Sequence, residues 1–96
     1  MEQKLKSVIS KVRELLGNNE KYKDFLKYDA RVEIHEKKGE LEIFKIEIGY
    51  YDNIVITEKE LYFLPERRGS VTLLKYDSYD ELLELCNCSA IKKLFK

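Results

Sequence analysis

The sequence predicts an α+β fold: two N-terminal helices, a five-stranded antiparallel meander sheet, and one or two C-terminal helices. Three observations carry this prediction. Apolar residues recur every three or four positions at the start of the chain, the period changes to two from Ala30, and a helix-start signature stands at Ser78.

Leu5, Val8, Ile9, Val12, Leu15 and Leu16 fall on one stripe of a helix over about residues 2 to 16. Gly17 is placed to end it in a left-handed conformation. Asn18 and Asn19 can cap a second helix, on which Tyr22, Phe25 and Leu26 share a face.

From Ala30, Val32 and Ile34 alternate with Arg31, Glu33 and His35, which predicts a strand with the two aliphatic residues on its buried side. Lys37-Lys38-Gly39-Glu40 returns the chain as a hairpin. The second strand changes phase: Leu41 and Ile43 occupy one parity, while Phe44, Ile46, Ile48 and Tyr50 occupy the other. A bulge near Ile43 and Phe44 would bring both sets to one face, because one extra residue flips every later side chain.

Asp52 and Asn53 make the next turn, Ile54 to Thr57 a third strand, and Glu58 to Glu60 another turn. Leu61 to Leu64 reads as a fourth strand and Val71 to Tyr76 as a fifth, joined by Pro65-Glu66-Arg67-Arg68-Gly69. Connections this short favour an antiparallel meander. Ser78-Tyr79-Asp80-Glu81 is a capping box, in which the Ser hydroxyl accepts from the Glu81 N–H and the Glu side chain reaches back to the Ser N–H. Leu82, Leu83 and Cys86 continue the helical stripe, and Ile91, Leu94 and Phe95 form another after Ser89.

The 96 residues suffice for one hydrophobic core, so residues 1–96 read as a single domain. Lysines and an arginine are scattered among the first apolar residues, which does not match a secretory leader. No apolar run approaches the length of a membrane span, so a cytoplasmic protein is expected. Charge is balanced at 18 basic and 18 acidic residues, so the whole molecule exerts no net attraction on nucleic acid or anionic lipid. Abundant Lys, Glu, Ile and Tyr with scarce Ala and Gln fit a thermophilic source or an AT-rich genome.

Chemistry-bearing residues are few. Cys86 and Cys88 stand one residue apart. Cys86 follows Leu82 and Leu83 by four and three residues and so joins the buried stripe. A tetrahedral zinc site needs about four ligands, whereas His35, the one histidine, lies far off on a strand. As a general base, His35 would need a nucleophile and an orienting partner that its neighbours Glu33 and Lys37 do not supply. Glu33, Glu40, Glu42 and Glu47 are spread along a hairpin rather than gathered in a ligand loop. No catalytic residue, metal site or cofactor is expected, and the reading is non-enzymatic.

A surplus of apolar residues on the sheet points instead to a partner. Ile54, Val55 and Ile56 run together, as do Leu61, Tyr62, Phe63 and Leu64, so both faces of the central strands call for cover. Either the N-terminal helices cover one face and the C-terminal helices the other, or a face or edge is buried against a second copy or another protein. Tyr50, Tyr51, Tyr62 and Tyr79 are candidate contact residues, since Tyr offers large amphipathic area at small entropic cost. Arg67 and Arg68 form a loop suited to carboxylate or phosphate. The leading expectation is a small protein-interaction module, self-associating as a homodimer, acting as inhibitor or regulator of another protein. In composition the chain resembles the short proteins of archaeal or bacterial viruses and plasmids, which implies a host protein as target. The alternative is a nucleic-acid-binding accessory protein that uses Lys4 and Lys11 on the first helix with Arg67 and Arg68.

Overall fold

A computed structural model describes residues 3–20, 22–24, 31–48, 52–64 and 71–88. Helix α1 spans Gln3–Gly17 and buries Leu5, Val8, Ile9, Val12 and Leu16, the stripe that the spacing marks out. Gly17 does not end it in the left-handed region; among the described glycines only Gly39 has positive φ. The helix instead unwinds through successive turns, with the Asn18 N–H donating to the Glu14 carbonyl and the Asn19 N–H to that of Leu16. The Asn19 carbonyl then accepts from the N–H groups of Tyr22 and Lys23, opening a further helical turn. Phe25 and Leu26, the rest of the expected second helix, lie outside the described residues, as do Ile91, Leu94 and Phe95.

The five strands are β1 (Arg31–Lys38), β2 (Leu41–Ile48), β3 (Asp52–Ile56), β4 (Glu60–Leu64) and β5 (Thr72–Lys75). Their spatial order equals their chain order and every pair is antiparallel, which is the expected meander. The β1–β2 hairpin closes at the Lys38–Leu41 pair, with Gly39 at φ 62° as the first of two turn residues. Positive φ at that position gives the turn the twist that flanking strands require. The β3–β4 turn is held by Thr57, whose hydroxyl accepts from the N–H groups of Lys59 (3.4 Å) and Glu60 (3.1 Å).

Helix α2 spans Tyr79–Cys86. Ser78 caps it, its hydroxyl accepting from the Glu81 N–H at 3.3 Å. The Glu81 carboxylate reaches back one residue further than the capping box implies, to the Asp77 N–H at 3.1 Å. Leu82 and Cys86 are buried and Leu83 packs on the rim of the core.

One core joins α1 and α2 to the sheet face formed by Phe44, Ile46, Ile48, Ile54, Ile56, Leu61 and Phe63. Tyr22 adds its ring to Phe63, edge to face, with centroids 6.2 Å apart. Both described helices therefore lie on the same side of the sheet, and the division of N- and C-terminal helices between two faces is not what the described elements adopt.

Two further expectations are corrected. No bulge interrupts β2: the pairing with β1 runs in unbroken register from Lys38–Leu41 to Arg31–Ile48. A bulge would turn Leu41 and Ile43 toward the helix side beside Lys37 and His35, where no described core residue stands to cover them, and would break the ladder without burying anything. The faces of β1 are also reversed. Val32 pairs with Glu47 and Ile34 with Lys45, away from the helices, while Glu33 pairs with Ile46 and His35 with Phe44 on the helix side. Because β1 is an edge strand, its helix-side positions sit at the border of the core, where charged groups can reach both helix and solvent. Arg13 of α1 closes that border with a two-pronged hydrogen bond: its Nε donates to Glu33 Oε2 at 2.7 Å and its Nη2 to Glu33 Oε1.

Candidate protein interface

The pairing registers map the sheet face opposite the helices row by row. In an antiparallel ladder directly opposed residues share a face. One row therefore runs Ile34, Lys45, Val55, Tyr62, Leu73 across all five strands. A parallel row runs Val32, Glu47, Asn53, Leu64, with Val71 in the same phase just before β5. Ile43 pairs with Glu36 and Leu41 with Lys38, extending the face to the hairpin end.

Nine side chains of this face are apolar or aromatic, and the most open are Val71 (58% exposed), Val32 (53%), Leu41 (49%) and Leu73 (42%). Ile34, Ile43, Val55, Tyr62 and Leu64 are half-buried. A singly covered antiparallel sheet normally alternates apolar inward with polar outward. Here the alternation fails on the outward side of every strand.

The charges on the face are few and mutually compensated. Lys45 Nζ lies 3.2 Å from Glu47 Oε1. Lys75 pairs with Glu60 across β4 and β5. The Tyr62 hydroxyl donates to Glu60 Oε2, and that hydrogen bond raises the phenol above its ordinary pKa. With Glu36 and Lys38 near the hairpin end, the face carries three acidic and three basic groups.

Of the tyrosines expected at a partner surface, Tyr62 lies on this face, on β4 beside Val55 of the middle strand. Tyr79 does not: it is 4% exposed, in the core at the start of α2, because the helix begins by packing down onto the sheet. Tyr50, Tyr51, Arg67 and Arg68 lie outside the described residues. Lys4 and Lys11 belong to the helix layer, on the opposite side of the molecule from Tyr62, and both are ion-paired. Lys4 Nζ stands 2.7 Å from Asp80 Oδ2, tying α1 to α2, and Lys11 Nζ stands 3.7 Å from Glu14 Oε2.

The residues that sequence reasoning missed are Val32, Ile34, Leu41 and Ile43, all assigned to the buried side. The signal was present as the phase change in β2. Two sets of apolar residues on opposite parities describe an unbulged strand that is apolar on both faces.

The other reactive groups are structurally occupied. Cys86 is buried, and burial pushes its thiol up to about 11, so it is a poor nucleophile at neutral pH. Cys88 is exposed, with its Sγ 3.4 Å from the Glu84 carbonyl at the helix end. His35 Nε2 lies 2.9 Å from Glu42 Oε2, and its ring tilts against Phe44 at the hairpin end of the helix side. Among the described residues no group of three or more His, Cys, Asp or Glu is gathered to hold a metal ion, and no described helix is long and apolar enough to cross a membrane. No protein-family model, no curated protein and no solved structure matches the chain.

Proposed function

We propose that this chain is a small non-enzymatic protein-interaction module, an inhibitor or regulator of another protein, and that it works through the sheet face opposite its helices. The observation that carries the reading is the row Ile34, Lys45, Val55, Tyr62 and Leu73, apolar or aromatic at every position but Lys45 and accompanied by Val32, Leu41 and Val71, on a face that neither described helix covers. Contiguous apolar patches of more than a few hundred Å² are uncommon on monomers and mark contact surfaces.

The face suits a partner better than the sheet edges do. The edge strand β1 carries Glu33, His35, Glu36, Lys37 and Lys38, and charges of this kind discourage pairing with a further strand. The other edge, β5, is four residues long and ends in Lys75.

The nucleic-acid reading draws less support. Phosphate binding needs uncompensated cations in one stripe, and on α1 Lys4, Lys11 and Arg13 each face a carboxylate within 4 Å. The sheet face offers as many acidic as basic groups.

A photo-crosslinking side chain placed at Tyr62 tests the reading, with the same group at Lys6, exposed on α1, as the control. Crosslinks to protein are expected from position 62 and not from position 6, with little change on added salt. Equal yields from both positions, or adducts to nucleic acid, would overturn it.

A further inference from the structure

We infer that the partner of the open sheet face is a second copy of this chain, the two sheets packing face to face about a twofold axis into a four-layer α/β/β/α dimer. This deepens the interaction reading and rests on it.

Charge is the first argument. An isologous interface must be complementary to itself. A face dominated by one sign would repel its own copy and would call for an oppositely charged partner. This face carries Glu36, Glu47 and Glu60 against Lys38, Lys45 and Lys75, so it has no net sign to match. Four of the six charges sit away from its middle: Lys38 and Glu36 lie toward the hairpin, and Glu60 and Lys75 toward the β4–β5 end of the next row. Lys45 lies on the central row, but Glu47 on the same strand already holds it. A copy turned over onto the face meets apolar side chains among charges of both signs, with the Lys45–Glu47 pair beside Val55.

Size is the second argument. Five strands spaced about 4.8 Å apart make a face roughly 24 Å wide, and strands of four to eight residues at about 3.3 Å per residue give a depth of roughly 13–26 Å. In projection the footprint is roughly 300–600 Å², and side-chain relief brings its upper end toward the ~800 Å² per partner of a standard stable interface.

Position is the third. Val55 lies on β3, the middle strand, and at the middle of the row from Ile34 to Leu73. A twofold axis through the centre of the face therefore sets Val55 against its own copy, with Tyr62 beside it. Aliphatic and aromatic side chains on four of the five strands of the central row, with the one lysine there neutralised by Glu47, match the anatomy of sheet-on-sheet packing and of homodimer interfaces.

The test is the solution mass of the full chain by sedimentation equilibrium, with reducing agent present so that Cys88 forms no crosslink. The wild type is expected at twice the 11.5 kDa of one chain. Leu73→Asp and Val32→Asp, at positions already exposed in the single chain and therefore free of packing duty, are each expected to raise the dimer dissociation constant at least about thirtyfold with unchanged circular dichroism. Lys6→Glu on the helix side should leave the mass unchanged. A dimer that survives both face substitutions overturns the proposed packing. A wild-type monomer also overturns it, and an apolar dye then separates the two claims. Dye binding that Leu73→Asp abolishes leaves the face open for a different protein, whereas absence of dye binding removes the interaction face as well.

Discussion

At the scale of single residues, the fold places hydroxyls where a phenyl ring could not serve. Tyr22 is buried to its ring, and its OH donates to Asp52 Oδ2 at 2.7 Å, tying the segment after α1 to the start of β3. Tyr76 is buried at the end of β5 and donates to the Thr57 carbonyl at the β3–β4 turn. Burial is the chief cause that lifts both phenols above their ordinary pKa, and at Tyr22 the hydrogen bond to Asp52 adds to it. In the unfolded chain both would titrate near about 10. Below that pH both states hold the protons and the contribution to stability is flat. Above it, the unfolded chain releases protons that the fold retains, so stability falls as pH rises toward the folded values. Tyr22→Phe combined with Tyr76→Phe should therefore lose less stability than the wild type between about pH 9 and pH 11, as read from urea unfolding. Equal losses would show that these phenols do not govern the alkaline limb.

Elements succeed or fail here at their ends. Helix α2 has only eight residues, too few to persist on propensity alone, so it depends on its cap and on the face it buries. Ser78→Ala removes the acceptor for the Glu81 N–H and should cost about 1 kcal/mol in chemical unfolding. An unchanged unfolding midpoint would mean that Asp77 or solvent replaces the cap. This cap was legible because it is a local pattern of side chain and backbone within four residues. The hairpin at Gly39 was legible for the same reason. Its positive φ is a backbone requirement and not a matter of space, since a Cβ there would meet no atom within 4 Å. Gly39→Ala should then cost about 1 kcal/mol through conformation alone, and a neutral result in the same unfolding assay would contradict a left-handed Gly39. The exit from α1 was misjudged because a glycine after a helical stripe permits a left-handed stop without compelling one.

At the scale of the whole molecule, the two described helices share one side of a five-stranded sheet, and the closure of that layer at the β1 edge falls to Arg13 and Glu33. Their side chains are 40% and 20% exposed, so the pair is screened and its coupling should be modest, about 1 kcal/mol in a double-mutant cycle. That coupling should shrink with salt. A coupling of zero would mean that the edge is held by the β1–β2 ladder alone. The opposite face is left with the apolar row through Val55 and Tyr62, and it is this asymmetry that points to a binding role.

The sequence by itself determined the strands, their antiparallel order, α1, the start of α2 and the burial of Cys86, because each follows from periodicity or from turn and cap chemistry acting over a few residues. It also held the surplus of apolar residues on the sheet. Tertiary structure alone decided where that surplus lies. Strand alternation divides residues between two faces but does not say which face the helices cover, and on the edge strand β1 the covered face proved to be the charged one. Only the packing of α1 and α2 together on the side of Phe44, Ile46 and Ile54 broke that symmetry. It buried Tyr79, set Tyr62 on the face away from both described helices, and turned Val32 and Ile34 outward, because a helix layer packed on one side of a sheet buries that side alone.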